Sequence, residues 1–213
     1  MNQLTKQLSY VHLDNVLSRP FNSNLLIDNK EAVNYILTEG RSICMNNSTS
    51  NSKCNSKCNS KERLKQEDNW GNGIFNGTFK TDKNQWTTKF SETFVKEVIS
   101  KLYNEQPQRA LKLKNLQPDL ETNNFIIEIK FQKYFSTGTA WEKVLGVPLK
   151  YSGYPNPKNK KFIIVCCGQI EVLMRKKIKK FNQKQNKIIE FYKENGFEYV
   201  FFTDLLNRAL NVK

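Results

Sequence analysis

Histidine is almost missing from this chain: His12 is the only one among 213 residues. One imidazole cannot build a His-based metal cluster, and it is a poor basis for a Ser-His-Asp triad. Most triad hydrolases and zinc proteases are therefore excluded. No apolar run reaches the roughly twenty residues that a membrane-spanning helix needs. The opening MNQLTKQLSY has no hydrophobic signal region, so an intracellular, cytoplasmic chain with no membrane partner is expected. Cysteines number five. An odd count without a secretory setting argues against a disulfide framework. Acidic residues are also scarce: 20 Asp and Glu stand against 34 Lys and Arg, a formal net charge of +14. That imbalance favours a polyanionic partner, nucleic acid first and an anionic membrane surface second.

A hydrophobic content of 38% still permits a real core. Leu4, Leu8, Val11 and Val16 or Leu17 recur at helical spacing, and His12 on that segment is read as structural. Asp28 is expected to cap a second helix running to Leu37 and stopped by Gly40. Residues 1–43 thus read as a helical appendage. From Cys44 to Asn69 the composition shifts to NNSTSNSKCNSKCNSK, with a tandem NSKC repeat. So little apolar surface cannot offset chain entropy, and the segment reads as a linker. Cys44, Cys54 and Cys58 invite a zinc reading, but the paired spacings of zinc sites do not recur, and incidental thiols in a repeat are the simpler account. Residues 70–213 form the expected main domain. Its first part, Trp70 to Trp86, is turn-rich, with aromatics expected to pack on the core.

Phe90 to Tyr103 is expected to be a helix capped by Ser91, with Phe94, Val95, Val98, Ile99 and Leu102 on its buried stripe. Glu92 sits at the edge of that stripe, where it either pairs with Lys96 or faces a site. Three strands are expected next: Ala110–Leu116, Pro118–Leu120 and Phe125–Gln132. Along the last, Phe125, Ile127, Ile129 and Phe131 share one face, while Ile126, Glu128, Lys130 and Gln132 share the other. Burying Glu128 and Lys130 is costly unless they are paired or bound to something. The turn-prone ETNN would fold the strand back and bring Asp119 beside Glu128. Two carboxylates with a lysine suit a hard divalent cation acting on a phosphodiester.

Pro118-Asp119 followed by Glu128-Ile129-Lys130 resembles the PD-(D/E)xK nuclease superfamily. The resemblance implies metal ligands at Asp119 and Glu128, with Ile129 lending its carbonyl, and a catalytic lysine at Lys130. Glu92 would correspond to the acidic residue that many members carry on the helix before the catalytic hairpin. Gln132, two residues beyond Lys130, joins the candidate catalytic set. It further implies Mg2+, with Mn2+ able to substitute, double-stranded DNA as substrate, and an αβββαβ core. The eight residues between Asp119 and Glu128 are near the short end for the family and demand a tight hairpin. Gly138-Thr139-Ala140, Glu142-Lys143 and Pro148-Leu149-Lys150-Tyr151 resemble a segment of some type II restriction endonucleases. The resemblance spans about residues 89–211.

Phe162 to Cys167 is a continuous apolar run, expected as a strand buried on both faces with the two thiols in the core. Ile170, Met174, Ile178, Phe181, Ile188 and Tyr192 suggest one long helical stripe. Its other face is basic: from Lys158 to Lys187 ten cations stand against Glu171 alone. Arg175, Lys176, Lys179, Lys180 and Lys184 are the candidate phosphate contacts. Glu198 to Phe202 is a last strand, with Thr203 capping a short helix through Leu210. The expected fold is α/β, a restriction-endonuclease-like mixed sheet flanked by helices. The expected function is a Mg2+-dependent, sequence-specific endodeoxyribonuclease, with a homodimer left open. A structure-specific repair or recombination nuclease and a non-catalytic basic DNA-binding protein are the alternatives.

Overall fold

The computed structural model describes residues 25–46, 60–74, 86–136, 140–156 and 158–211. The expected helix over Leu4–Leu17, His12, the NSKC repeat and Gly138-Thr139 lie outside these residues. The fold is α/β: a five-stranded mixed sheet flanked by helices. Its strands are β1 (Gln108–Arg109), β2 (Leu120–Glu121), β3 (Phe125–Gln132), β4 (Lys161–Gly168) and β5 (Phe197–Phe201), in that spatial order. The first three run antiparallel; β3, β4 and β5 run parallel. Among the described residues no helix is long and apolar enough to cross a membrane.

The alternation expected for β3 is present. Phe125, Ile127, Ile129 and Phe131 pack with α4 (Thr87–Tyr103), whereas Ile126 belongs to the cluster on the opposite face. That second cluster also takes Val144 from α5 (Ala140–Leu145), Val147 and Tyr151 from α6 (Val147–Tyr151), and Ile170 and Met174 from α7 (Gln169–Ile178). Strand β4 is buried from Phe162 to Gly168, so its alternate residues feed both clusters. Cys166 and Cys167 are core hydrophobes, and burial pushes both thiols up. Strand β4 ends at Gly168, whose φ is +64° and where a Cβ would stand 2.2 Å from the Gln132 carbonyl oxygen. Glycine is required there for β3 and β4 to stay paired to their ends.

Several expected elements differ. Ala110–Leu116 is not a strand. Leu113 and Leu116 close a tight turn on each other through two 2.9 Å backbone bonds, with Lys114 at φ +53°. The Leu-Lys-Leu-Lys alternation mimics a half-buried strand, yet Leu111 is 63% exposed. Helix α4 begins at Thr87, so Ser91 lies inside it and its hydroxyl bonds back to the Thr88 carbonyl. The long basic helix is two: α7, then α8 (Gln183–Glu194). Asn182 and Gln185 form a capping box that restarts the helix. Helix α9 (Phe202–Asn211) follows β5 directly, and Thr203 lies within it.

Residues 26–43 are packed into the main core. Leu26, Ile27, Ala32, Val33, Tyr35, Ile36 and Ile43 share one cluster with α4 and the sheet. They come from a 3-10 turn at Leu26–Asp28, α1 (Lys30–Leu37) and α2 (Arg41–Asn46). Asn29, one residue after the expected Asp28, caps α1 by accepting from the Glu31 and Ala32 N–H groups. Ser60–Asn69, expected as the end of a linker, belongs to α3 (Ser60–Ile74). The reason is its few inward residues: Trp70 stacks on Tyr35, and Gly71 lies so close to Trp86 that a Cβ would stand 2.2 Å from the ring.

Glu97 of α4 ties the 3-10 turn down by accepting the Ile27 N–H at 2.9 Å. Burial pushes its carboxyl from 4.5 up to about 7, only partly opposed by backbone N–H donors. The folded chain thus holds this proton more tightly than the unfolded chain does. That contribution to stability is fully present below pH 4.5 and is lost as pH rises through 7. Glu97→Gln keeps an acceptor for Ile27 but removes the titration. Its melting temperature is expected to fall less than the parent's over this range, as calorimetry at several pH values would show.

Candidate active site

Strand β2 is only two residues long, and Pro118-Asp119 leads directly into it. Leu120 pairs with Ile127 and Glu121 with Ile126, so the register continued one step sets Asp119 opposite Glu128. Instead of a backbone carbonyl, the Asp119 side chain meets the edge of β3: its Oδ2 accepts the Ile129 N–H at 2.6 Å. A carboxylate has replaced a ladder bond, which fixes it beside the next residues of β3. Asp119, Lys130 and Glu92 line one cleft of about 260 Å³, together with Thr87, Thr88, Ser91, Ile129 and Phe131.

Glu128 lies behind this cleft and is only 2% exposed. Its Oε1 accepts Lys130 Nζ at 2.5 Å and lies 3.6 Å from Lys150 Nζ. Its Oε2 accepts the Tyr151 hydroxyl at 2.9 Å. Charge-assisted bonds of this kind are what make a buried carboxylate tolerable. Tyr151 lies 3.0 Å from the Gln117 carbonyl, and Lys150 Nζ donates to the Tyr151 oxygen at 2.8 Å.

Asp119 and Glu92 both hold a proton more tightly than a free carboxyl does. Burial, then the charge of Glu128, then Glu92, push Asp119 up to about 6, against the opposing Ile129 N–H and Lys130. Glu92 is also raised, first by burial and then by Glu128, with Arg109 opposing. Asp119 and Glu92, both raised by burial and by the charge of Glu128, favour a bound cation over a proton as pH rises. Among the described residues no three His, Cys, Asp or Glu side chains form a ready-made metal cage. The donor set fits Mg2+ all the same, since that ion takes one or two carboxylates and completes its shell with water and phosphate oxygens.

Asp119, Glu128, Lys130 and Glu92 are therefore brought together around one strand edge. Gln132 is not among the cleft-lining residues; it pairs with Gly168, and its buried Oε1 has no hydrogen-bond partner. Arg175 is engaged within the fold. It bonds Glu171 at 2.9 Å, Thr203 at 3.0 Å and Asp204 at 2.6 Å, and its guanidinium lies 4.1 Å from the Phe201 ring centre. Lys176, Lys179, Lys180 and Lys184 are exposed on and beside α7 and α8. Sequence reasoning assigned no site role to Tyr151 or Lys150. A signal did exist, since both fall in the Pro148–Tyr151 stretch, but nothing in one sequence says that it folds back onto Glu128.

Set against family models, curated proteins and solved structures, the chain matches none of them.

Proposed function

We propose that the chain is a Mg2+-dependent, sequence-specific endodeoxyribonuclease of the PD-(D/E)xK superfamily, resembling type II restriction enzymes. One observation carries this reading: Asp119, one residue before β2, accepts from the edge of β3 beside the Glu128–Lys130 pair, and Glu92 of α4 lines the same cleft as Asp119 and Lys130. The order of helix, three antiparallel strands, helices and a parallel strand is in keeping with an αβββαβ core. The net charge of +14 suits a DNA duplex.

A bound Mg2+ or Mn2+ would supply charge stabilisation at phosphorus and a more acidic water. Asp119, Glu128 and Glu92 are the side chains that would hold it. Asp119 is pre-set by the Ile129 N–H, so its placement costs little reorganisation. Lys130 Nζ bonds Glu128; with that carboxylate engaged by a cation, the ammonium would be free to face the phosphate. There it orients water or offsets charge growing on the phosphoryl oxygens. The Tyr151 hydroxyl, donating to Glu128 Oε2, orients that carboxylate with its other oxygen towards Lys130. Cleavage in the family's manner leaves a 5′-phosphate and a 3′-hydroxyl.

Cutting of DNA is expected with Mg2+ or Mn2+ and should stop in excess EDTA; undiminished cutting in chelator contradicts the assignment. Because a protonated carboxyl is a poor ligand, cation affinity should weaken as pH falls through about 6, the value to which Asp119 is raised. Titration calorimetry with Mn2+ on either side of that pH would read this directly. The closed Glu128–Lys130–Tyr151 set is the observation that favours a non-catalytic DNA-binding protein instead. Binding without cutting under every divalent cation would support that reading.

A further inference from the structure

Resting on the nuclease reading, a second surface gains a role. The turn between β1 and β2 and the short helix α6 are stitched together beside the site. Tyr154 donates to the Leu111 carbonyl at 2.9 Å, Gln117 Nε2 to the Ala110 carbonyl at 3.0 Å, and Tyr151 reaches both Gln117 and Glu128. The side chain that holds the buried carboxylate therefore also fixes this lip.

The lip has one sign of charge. Residues 109–117 and 147–151 contain Arg109, Lys112, Lys114 and Lys150, and no acidic residue. Arg109, Lys112 and Lys114 are exposed, and the Lys150 side chain is 51% exposed. Arg109 and Lys150 already act on the site, the first on the charge of Glu92 and the second 3.6 Å from Glu128. The lip also carries Leu111 at 63% and Leu149 at 69% exposure, both pointing away from either core cluster. Lys114 occupies the tip at φ +53°, where glycine or asparagine would be unstrained. A cationic, acid-free edge with two outward leucines suits a DNA duplex: lysines take phosphates, and aliphatic side chains lie against sugars and base edges in the minor groove.

We propose that this lip, formed by residues 109–116 and α6, grips the DNA backbone flanking the scissile phosphate. Lys112, Lys114 and Arg109 contact phosphates, and Leu111 and Leu149 seat in the minor groove. The two helices of the basic stripe then add a diffuse field, while the lip sets the position of the strand relative to Lys130.

The test is binding of the full-length chain to a short mixed-sequence duplex without divalent cation, between about 50 and 200 mM salt. Lys112→Ala/Lys114→Ala should make the slope of log affinity against log salt shallower by about two, and arginine at both positions should restore it. Leu111→Ser/Leu149→Ser should weaken binding with the slope unchanged. Lys114→Gly should hold or raise the melting temperature while weakening binding, which separates grip from folding. A parental slope in the double lysine variant would overturn the proposal. So would a serine variant that changes sedimentation but not DNA affinity, since the lip would then join copies of the chain. If the slope falls as expected but the parent cuts nothing with Mg2+, the lip stands and the nuclease reading fails.

Discussion

Lys130→Ala is expected to lower the rate of DNA cleavage at saturating substrate by roughly a hundredfold or more, with duplex binding almost intact. The two effects separate because they depend on different numbers of groups. The chain carries 34 Lys and Arg residues. Salt-dependent affinity is shared among many phosphate contacts, so losing one cation changes the slope by about one at most. In the proposed mechanism the chemical step depends on one ammonium at the scissile phosphate. The variant should also fold, because Tyr151 and Lys150 remain on Glu128 after Lys130 is gone. Lys179→Ala is the matched control: slightly weaker binding at raised salt, with cutting preserved on saturating DNA. Normal cutting by the Lys130 variant together with failure of the Lys179 variant would mean the catalytic centre lies elsewhere.

The second large effect falls on folding. Glu67 on α3 is fully buried and takes three donors: the Tyr35 hydroxyl at 2.6 Å, the Tyr134 N–H at 2.7 Å and the Phe135 N–H at 3.1 Å. Next to it Asp68 receives Lys133 Nζ at 2.7 and 2.9 Å. Together they clamp α3 onto the chain where it leaves β3, three to five residues after Lys130. Burial raises the Glu67 carboxyl, and its hydrogen bonds only partly offset that. Glu67→Ala would leave three donors without an acceptor, at about 1–3 kcal/mol each before relaxation. A net loss of about 3–5 kcal/mol is expected, which lowers the melting temperature of a chain this size by roughly 10 °C. Glu67→Gln should lose less, since it keeps an acceptor. An unchanged melting temperature for the alanine variant would mean that the clamp contributes nothing.

Strand β3 and strand β4 were legible because their signals are local. FIIEIKFQ alternates, FIIVCC is apolar throughout, and each packs as its pattern says. The meeting of Asp119 with the edge of β3 followed from one short turn. What was not legible depended on contacts far apart in the chain. The Leu113–Leu116 turn reads as part of a strand because alternation alone does not report which neighbour satisfies the backbone. Residues 60–69 of α3 read as linker because their composition is polar, and Trp70–Ile74 as turn because of Asn72-Gly73; the few inward residues count only once Tyr35, Trp86 and Tyr134 surround them. Arg175 reads as a phosphate contact because Glu171 and Asp204 are its partners only in space: Glu171 is a routine helix neighbour, and Asp204 lies 29 residues away. Tyr151 reads as an aromatic near a proline until β3 and α6 are set side by side.

The most direct measurement is digestion of a mapped plasmid by the purified chain in Mg2+, followed by sequencing of the ends. Discrete cut positions with 5′-phosphate and 3′-hydroxyl termini are expected, and their loss in the Lys130→Ala variant would tie the cuts to this site. No cleavage of linear, supercoiled or branched DNA with any divalent cation, from a chain that still binds the duplex, would contradict it.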